Sequence, residues 1–187
     1  MSNGIRVFTT FCAAVIAVVM ILAPTAALAA SAREIDADVD SALRDLYGAN
    51  SAAKELANAA KAILVFPNVV KAGFIGGVQF GEGALRGRGG RTLGYYNTTA
   101  GSYGLQAGVQ KFAYALFFMT DSALNYLNAS NGWEIGSGPS VVIVDSGLAK
   151  SLSTTTLQKD VYAFFFDQSG LFAGVGLQGT KITKIDP

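Results

Sequence analysis

The chain has 187 residues, with fourteen Lys or Arg against thirteen Asp or Glu, no histidine and one cysteine. Those counts exclude nucleophile-histidine pairs and His/Cys metal sites, and the near-zero net charge argues against a general nucleic-acid binder. The chain opens on a short basic start (MSNGIR), a long apolar run (VFTTFCAAVIAVVMILAP) and a small-residue end (TAALAA). This is the three-part pattern of a secretory signal peptide over residues 1–29. Ala27, Leu28 and Ala29 fit the cleavage rule, so the mature chain is expected to begin near Ala30, in the periplasm or cell envelope. A retained anchor is the alternative, because eighteen mostly apolar residues approach spanning length. Ahead of Ala30 stand Arg6 and no acid, so the remainder carries thirteen charges of each sign, and Cys12 leaves with the segment. The exported domain, residues 30–187, is therefore expected to hold by its core and hydrogen bonds without disulfides.

Residues 30–62 read as helical. In SAREIDADVDSALRDLYG, Ile35, Val39, Ala42, Leu43 and Leu46 recur at three- and four-residue spacing and form one apolar stripe, and Gly48 is a natural stop. SAAKELANAAKA places Ala52, Leu56, Ala59 and Ala60 on one side, which predicts a second helix closing a helical hairpin. At Ile63 the periodicity changes to that of strands, and Pro67-Asn68 reads as a turn. Strands are expected at 72–80, 92–97, 102–112, 140–145, 161–166 and 171–185. One helix interrupts them, with Asp121 as its cap and Leu124 and Leu127 on its inner face. The expected fold is α+β: a helical hairpin packed on a curved, largely antiparallel sheet or partly closed barrel.

The stretch GFIGGVQFGEGALRGRGGRTLGYYN, Gly73 to Asn97, holds nine glycines and the arginines Arg86, Arg88 and Arg91. It matches neither the dinucleotide-binding glycine pattern nor the P-loop, so a phosphate cradle fails on spacing. The glycines read as strand positions where a bend or close neighbour uses the missing side chain. The arginines read as a solvated hairpin turn. Gly-Val/Leu-Gln recurs at Gly77 to Gln79, Gly108 to Gln110 and Gly176 to Gln178, a loose echo that supports one recurring local solution. Carboxylate pairs such as Glu82 with Glu134 or Asp145 with Asp167 are conceivable, but nothing in the sequence brings them together. No enzyme, metal or cofactor is expected.

The blocks AKAILVFPNVVKAGFIGGVQFGEG, YYNTTAGSYGLQAGVQ, ALFFMTDSALNYL, GWEIGSGPSVVIVD and GLFAGVGLQGTKITKI occur in order over about residues 33–187. They resemble the SYLF domain family, a lipid-binding domain also known from yeast actin-patch proteins. The resemblance implies a non-enzymatic domain that meets phospholipid membrane surfaces, and in some fungal members actin filaments. Actin is not expected as partner of an exported chain. The first helix departs from the family pattern: Glu34, Asp36, Asp38, Asp40 and Asp45 outnumber Arg33 and Arg44, and an acidic face is repelled by anionic headgroups. The candidate lipid contacts are Arg86, Arg88 and Arg91, with Lys181 and Lys184. An envelope structural or protein-interaction domain without a specific lipid is the alternative reading.

Overall fold

A computed structural model describes residues 30–73, 76–103, 108–130, 132–144, 158–170 and 177–187. The signal segment, Asp145 and the first part of the last expected strand, 171–176, lie outside the described residues. Two helices come first, α1 (Ala32–Ala49) and α2 (Ser51–Ala59). Ser31 starts α1 with a reciprocal cap, its hydroxyl accepting from Glu34 N while the Glu34 carboxylate accepts from Ser31 N. Asn50 alone joins the helices: its N–H bonds Leu46 O at the end of α1, and its side chain accepts from Ala53 N at the start of α2.

The strands are β1 (Ala62–Gly73), β2 (Gly76–Gly87), β3 (Thr92–Tyr103), β4 (Gly108–Phe118), β5 (Trp133–Glu134), β6 (Val141–Ile143), β7 (Val161–Gly170) and β8 (Lys181–Ile185). They form one sheet in the order β5-β8-β3-β2-β1-β4-β7-β6, antiparallel throughout except for β6 on β7. It is a curled half-barrel whose end strands β5 and β6 do not pair. The α+β class is therefore correct, with strands predominating. Helix α3 (Asp121–Ala129) follows β4.

Several expected boundaries move. Residues 72–80 are the two arms of the β1–β2 hairpin, with Gly73 opposite Gly77, and 102–112 likewise spans the β3–β4 connection. Glycine-rich hairpin ends carry the same apolar alternation as a continuous strand, so period alone could not separate them. Pro67 and Asn68 do not turn the chain. They form a bulge inside β1, one residue longer there than either β2 or β4 alongside. Thr120, one residue before the expected cap, starts α3 by accepting from Ala123 N.

Side chains alternate between two cores. The concave face collects Leu64, Phe66, Leu85, Tyr96, Tyr114, Leu116, Val161 and Ile182, and α3 inserts Ala123 and Leu127 into it beside Trp133. The opposite face packs Ile63, Val65, Ala84, Phe117 and Phe164 against the stripe Ile35, Val39, Ala42 and Leu46 of α1 and Ala53 and Leu56 of α2. A fully buried aliphatic side chain contributes about 1.5–3 kcal/mol. Gly83 is where β2 presses closely on its neighbour β1: a Cβ there would meet Val65 O at 2.0 Å and the Phe66 ring at 2.8 Å. No rotamer relieves an overlap with backbone, so the glycine is required by space.

Candidate functional site

The three arginines of the glycine-rich stretch do not act together. Arg86 is the last buried side chain of β2 on the helix-covered face, 7% exposed. Its Nη1 lies 3.0 Å from Asp36 Oδ1, and its Nη2 lies 2.6 Å from Asp40 Oδ1 and 3.0 Å from Asp36 O. Arg86 Nη1 also donates to Thr92 Oγ1, which donates to Asp36 Oδ1 at 2.8 Å, and Tyr95 OH donates to Asp36 Oδ2 at 3.0 Å. Burial first, and then this carboxylate, hold the Tyr95 phenol above its ordinary value. Arg86 is thereby removed from the candidate lipid contacts, since a guanidinium already bridging two carboxylates under a helix cannot meet a headgroup.

The same contacts explain the acidity of α1. Asp36 and Asp40 hold Arg86, and Asp38 Oδ2 accepts from Asn68 Nδ2 of the β1 bulge at 2.7 Å. These acids dock the helix onto the sheet. Their spacing follows from helix geometry, because residues 36 and 40 share a face one turn apart. Just ahead of the helix, Ala30 N donates to Glu82 Oε2 of β2 at 3.1 Å. Glu82 and Glu134 stand three strands apart in the sheet, on β2 and β5, so that conceivable pair is not formed.

Arg88 and Arg91 do form an exposed turn. Arg88–Gly90 makes a short 3-10 turn closed by Gly87 N to Arg91 O at 2.8 Å, and Gly89 and Gly90 take φ of 78° and 81°. Positive φ at two successive positions favours glycine strongly. Beside the turn, a groove of about 260 Å³ runs under the helices, walled by Leu43, Tyr47, Ala57 and Ile63 and rimmed by Lys61 and Arg88. Lys61 is engaged by Asp121 at 3.0 Å.

The two lysines of β8 divide between the faces. Lys184 pairs with Tyr96 on the concave side, near Gly94 at the arginine end. Lys181 pairs with Thr99 on the other face, three residues away along the strand. Both are exposed. Another cation, Lys111 on β4, is also exposed and was not singled out by sequence reasoning. Its partner in register is Val70, and the exposed Val78, Phe80 and Val109 belong to the same end of the sheet. Their signal was present as hydrophobic residues at alternate positions, but reading 72–80 as one unbroken strand hid it.

A second cleft, about 360 Å³, opens where the half-barrel fails to close, between Ile135 to Ser140 after β5, Val141 and Ile143 of β6, and Leu177. Asp160 anchors this rim: its carboxylate accepts from Ser140 N at 3.0 Å, Ser140 Oγ at 2.9 Å and Thr120 Oγ1 at 3.2 Å. The Ser140 hydrogen bonds, backbone first, lower the Asp160 pKa. Among the described residues no three His, Cys, Asp or Glu side chains are grouped to hold a metal.

Residues 99–186 match the family model described as Ysc84, Las17-binding protein actin regulator. No curated protein matches the chain. The matched span runs from within β3 through β4, α3 and the edge strands to the end of β8, and it contains Lys111, Lys181 and Lys184. This match is consistent with a SYLF domain, the family that the ordered sequence blocks resemble.

Proposed function

We propose that the protein is a non-enzymatic, peripheral lipid-binding domain of the cell envelope, exported by way of its N-terminal segment. The observation that carries this reading is the family match, since the SYLF domain is known as a lipid-binding domain. Among the described residues the matched span presents four exposed lysines, Lys111, Lys159, Lys181 and Lys184, and none of them has an ion-pair partner there. Exposed cations near a membrane surface each gain about 1 kcal/mol from anionic lipid, and the gain falls with salt. The family description names an actin regulator, but export separates this chain from cytoplasmic actin.

Flotation of the exported, processed protein with phosphatidylcholine vesicles, with and without phosphatidylglycerol, tests the reading. Binding that needs the anionic lipid and weakens with added salt is expected. Absence of flotation on every composition would overturn it in favour of an envelope protein-interaction domain, a reading that the balanced charge of residues 30–187 favours.

A further inference from the structure

The helices cover only part of their face of the sheet. They pack on the first half of β1, the second half of β2 and the facing parts of β4 and β7. Toward the β1–β2 hairpin end no described helix covers the same face, and apolar side chains stand exposed on it. Val70 is 37% exposed, Val78 70%, Phe80 50% and Val109 58%. Register makes these residues neighbours: Val70 is opposite Phe80, and Ala72 is opposite both Val78 and Val109. In a chain whose other large apolar side chains on these three strands are buried, four exposed together form a patch and not a scatter.

The row through Phe80 continues outward to a lysine on each side. Val70 pairs with Lys111 of β4, while Phe80 pairs with Thr99, which pairs with Lys181 of β8. In this row the apolar strip, two strands wide at Val70 and Phe80, is thus flanked by cations, one strand away on one side and two on the other. Acids on this face are Glu82, engaged by Ala30 N, Glu134, which pairs in register with Lys181, and, where the face meets the helices, Asp167 of β7 with Asp38 and Asp45 of α1. Next to Val78, Gly101 leaves open space with no neighbour within 4 Å of where its Cβ would be.

We infer that this strip is the surface that enters the membrane, with Val78, Phe80 and Val109 seated among the headgroups and upper acyl chains and Lys111 and Lys181 meeting anionic headgroups at its flanks. The inference rests on the lipid-binding reading and names its contact. Lysine suits both flanks, because its stem lies along apolar surface while its ammonium reaches the headgroup layer. A second copy of the chain is the poorer occupant. A two-fold interface must be self-complementary, yet both flanks carry the same charge, and a stable dimer needs some 20–30 residues a side. The arginine turn is a separate surface: Arg88 lies eight residues beyond Phe80, roughly 25 Å along the strand direction.

The test compares the processed protein with Val78→Ser/Phe80→Ser/Val109→Ser on vesicles of equal parts phosphatidylcholine and phosphatidylglycerol. Thermal unfolding and circular dichroism of each protein establish that the variant is folded. The variant should lose at least about tenfold in vesicle partitioning, as expected for exposing instead of burying large apolar side chains. Arg88→Ser/Arg91→Ser should partition within about twofold of the parent, as surface changes away from a contact do. A second variant, Phe80→Trp, keeps the surface apolar. Its emission should shift to the blue on vesicle binding and be quenched by bromine-labelled acyl chains. Equal partitioning of parent and triple-serine proteins, or an unquenched tryptophan on bound vesicles, would overturn this face while leaving the lipid-binding reading intact. A parent that floats on no vesicle would overturn both. A parent that is dimeric in solution and a triple-serine variant that is monomeric would assign the strip to a second copy and overturn the membrane contact.

Discussion

Arg86 shows how far a residue type alone can mislead about its role. It shares a glycine-rich stretch with Arg88 and Arg91, yet strand alternation turns it toward α1, where Asp36 and Asp40 wait one helical turn apart. Replacing it with serine leaves Asp36 and Asp40 without their cation beneath the helix. Because both carboxylates keep some exposure, a loss of about 1–3 kcal/mol is expected, less than for a fully buried pair. Arg88→Ser/Arg91→Ser should change stability by less than about 0.5 kcal/mol. Chemical denaturation of the two variants checks the contrast, and equal stabilities would contradict the ion-pair account. The sequence placed Asp36 and Asp40 on the first helix and read Arg86 as part of a solvated turn, not as the strand residue it is. It could not show that the two meet, because that contact joins residues 46 and 50 positions apart.

At the level of elements, legibility followed the clarity of the period. The stripe of α1 was readable because Ile35, Val39, Ala42 and Leu46 repeat at helical spacing, and all four are buried. The β1–β2 hairpin and the β3–β4 connection were not, because Gly73 to Gly77 and the end of β3 with the start of β4 carry no polar turn to mark them. The Gly-Val-Gln echo has a structural meaning in two of its three copies: Gln79 of β2 and Gln110 of β4 both pair in register with Lys71 of β1, and both are buried on the concave side. The third copy lies partly outside the described residues. The short edge strand β6 depends on a residue outside it, Asp160, whose ionised carboxylate takes both hydrogen bonds of Ser140. Those bonds lower its folded pKa, so their stabilisation is present above the ordinary aspartate value of about 3.9 and is lost as pH falls through the lower folded value. Thermal unfolding between pH 6 and 2.5 should therefore show an acid-side loss that is smaller in Asp160→Asn. An identical pH profile in the variant would disprove the linkage.

On the scale of the whole molecule, the family match and the sheet order have to be read together. Residues 99–186 supply β4, β7 and β6 at one end of the sheet and β8 and β5 at the other, but β1, β2 and most of β3, which join those ends, precede residue 99. The matched span cannot make a continuous sheet by itself. A fragment of residues 99–187 should lack the native near-ultraviolet circular dichroism of Trp133 and unfold without a cooperative transition, whereas residues 30–187 should show both. Cooperative unfolding of the short fragment would mean that the strand order described above is not the one it adopts.

The bond from Ala30 N to Glu82 gains a different meaning if the chain is cut between Ala29 and Ala30. In the precursor that nitrogen is a neutral amide, whereas in the product it is an ammonium, already held 3.1 Å from a carboxylate on β2. Removal of the leader would then complete an ion pair across the first helix and the sheet, so maturation would itself tighten the folded state, as charge-assisted bonds exceed neutral ones. Chemical acetylation of that single amine, with lysines left unmodified, should lower the melting temperature by about 2–4 °C per kcal/mol lost, and should have no effect in Glu82→Gln. A melting temperature indifferent to acetylation in the parent protein would show that the new terminus is free of Glu82.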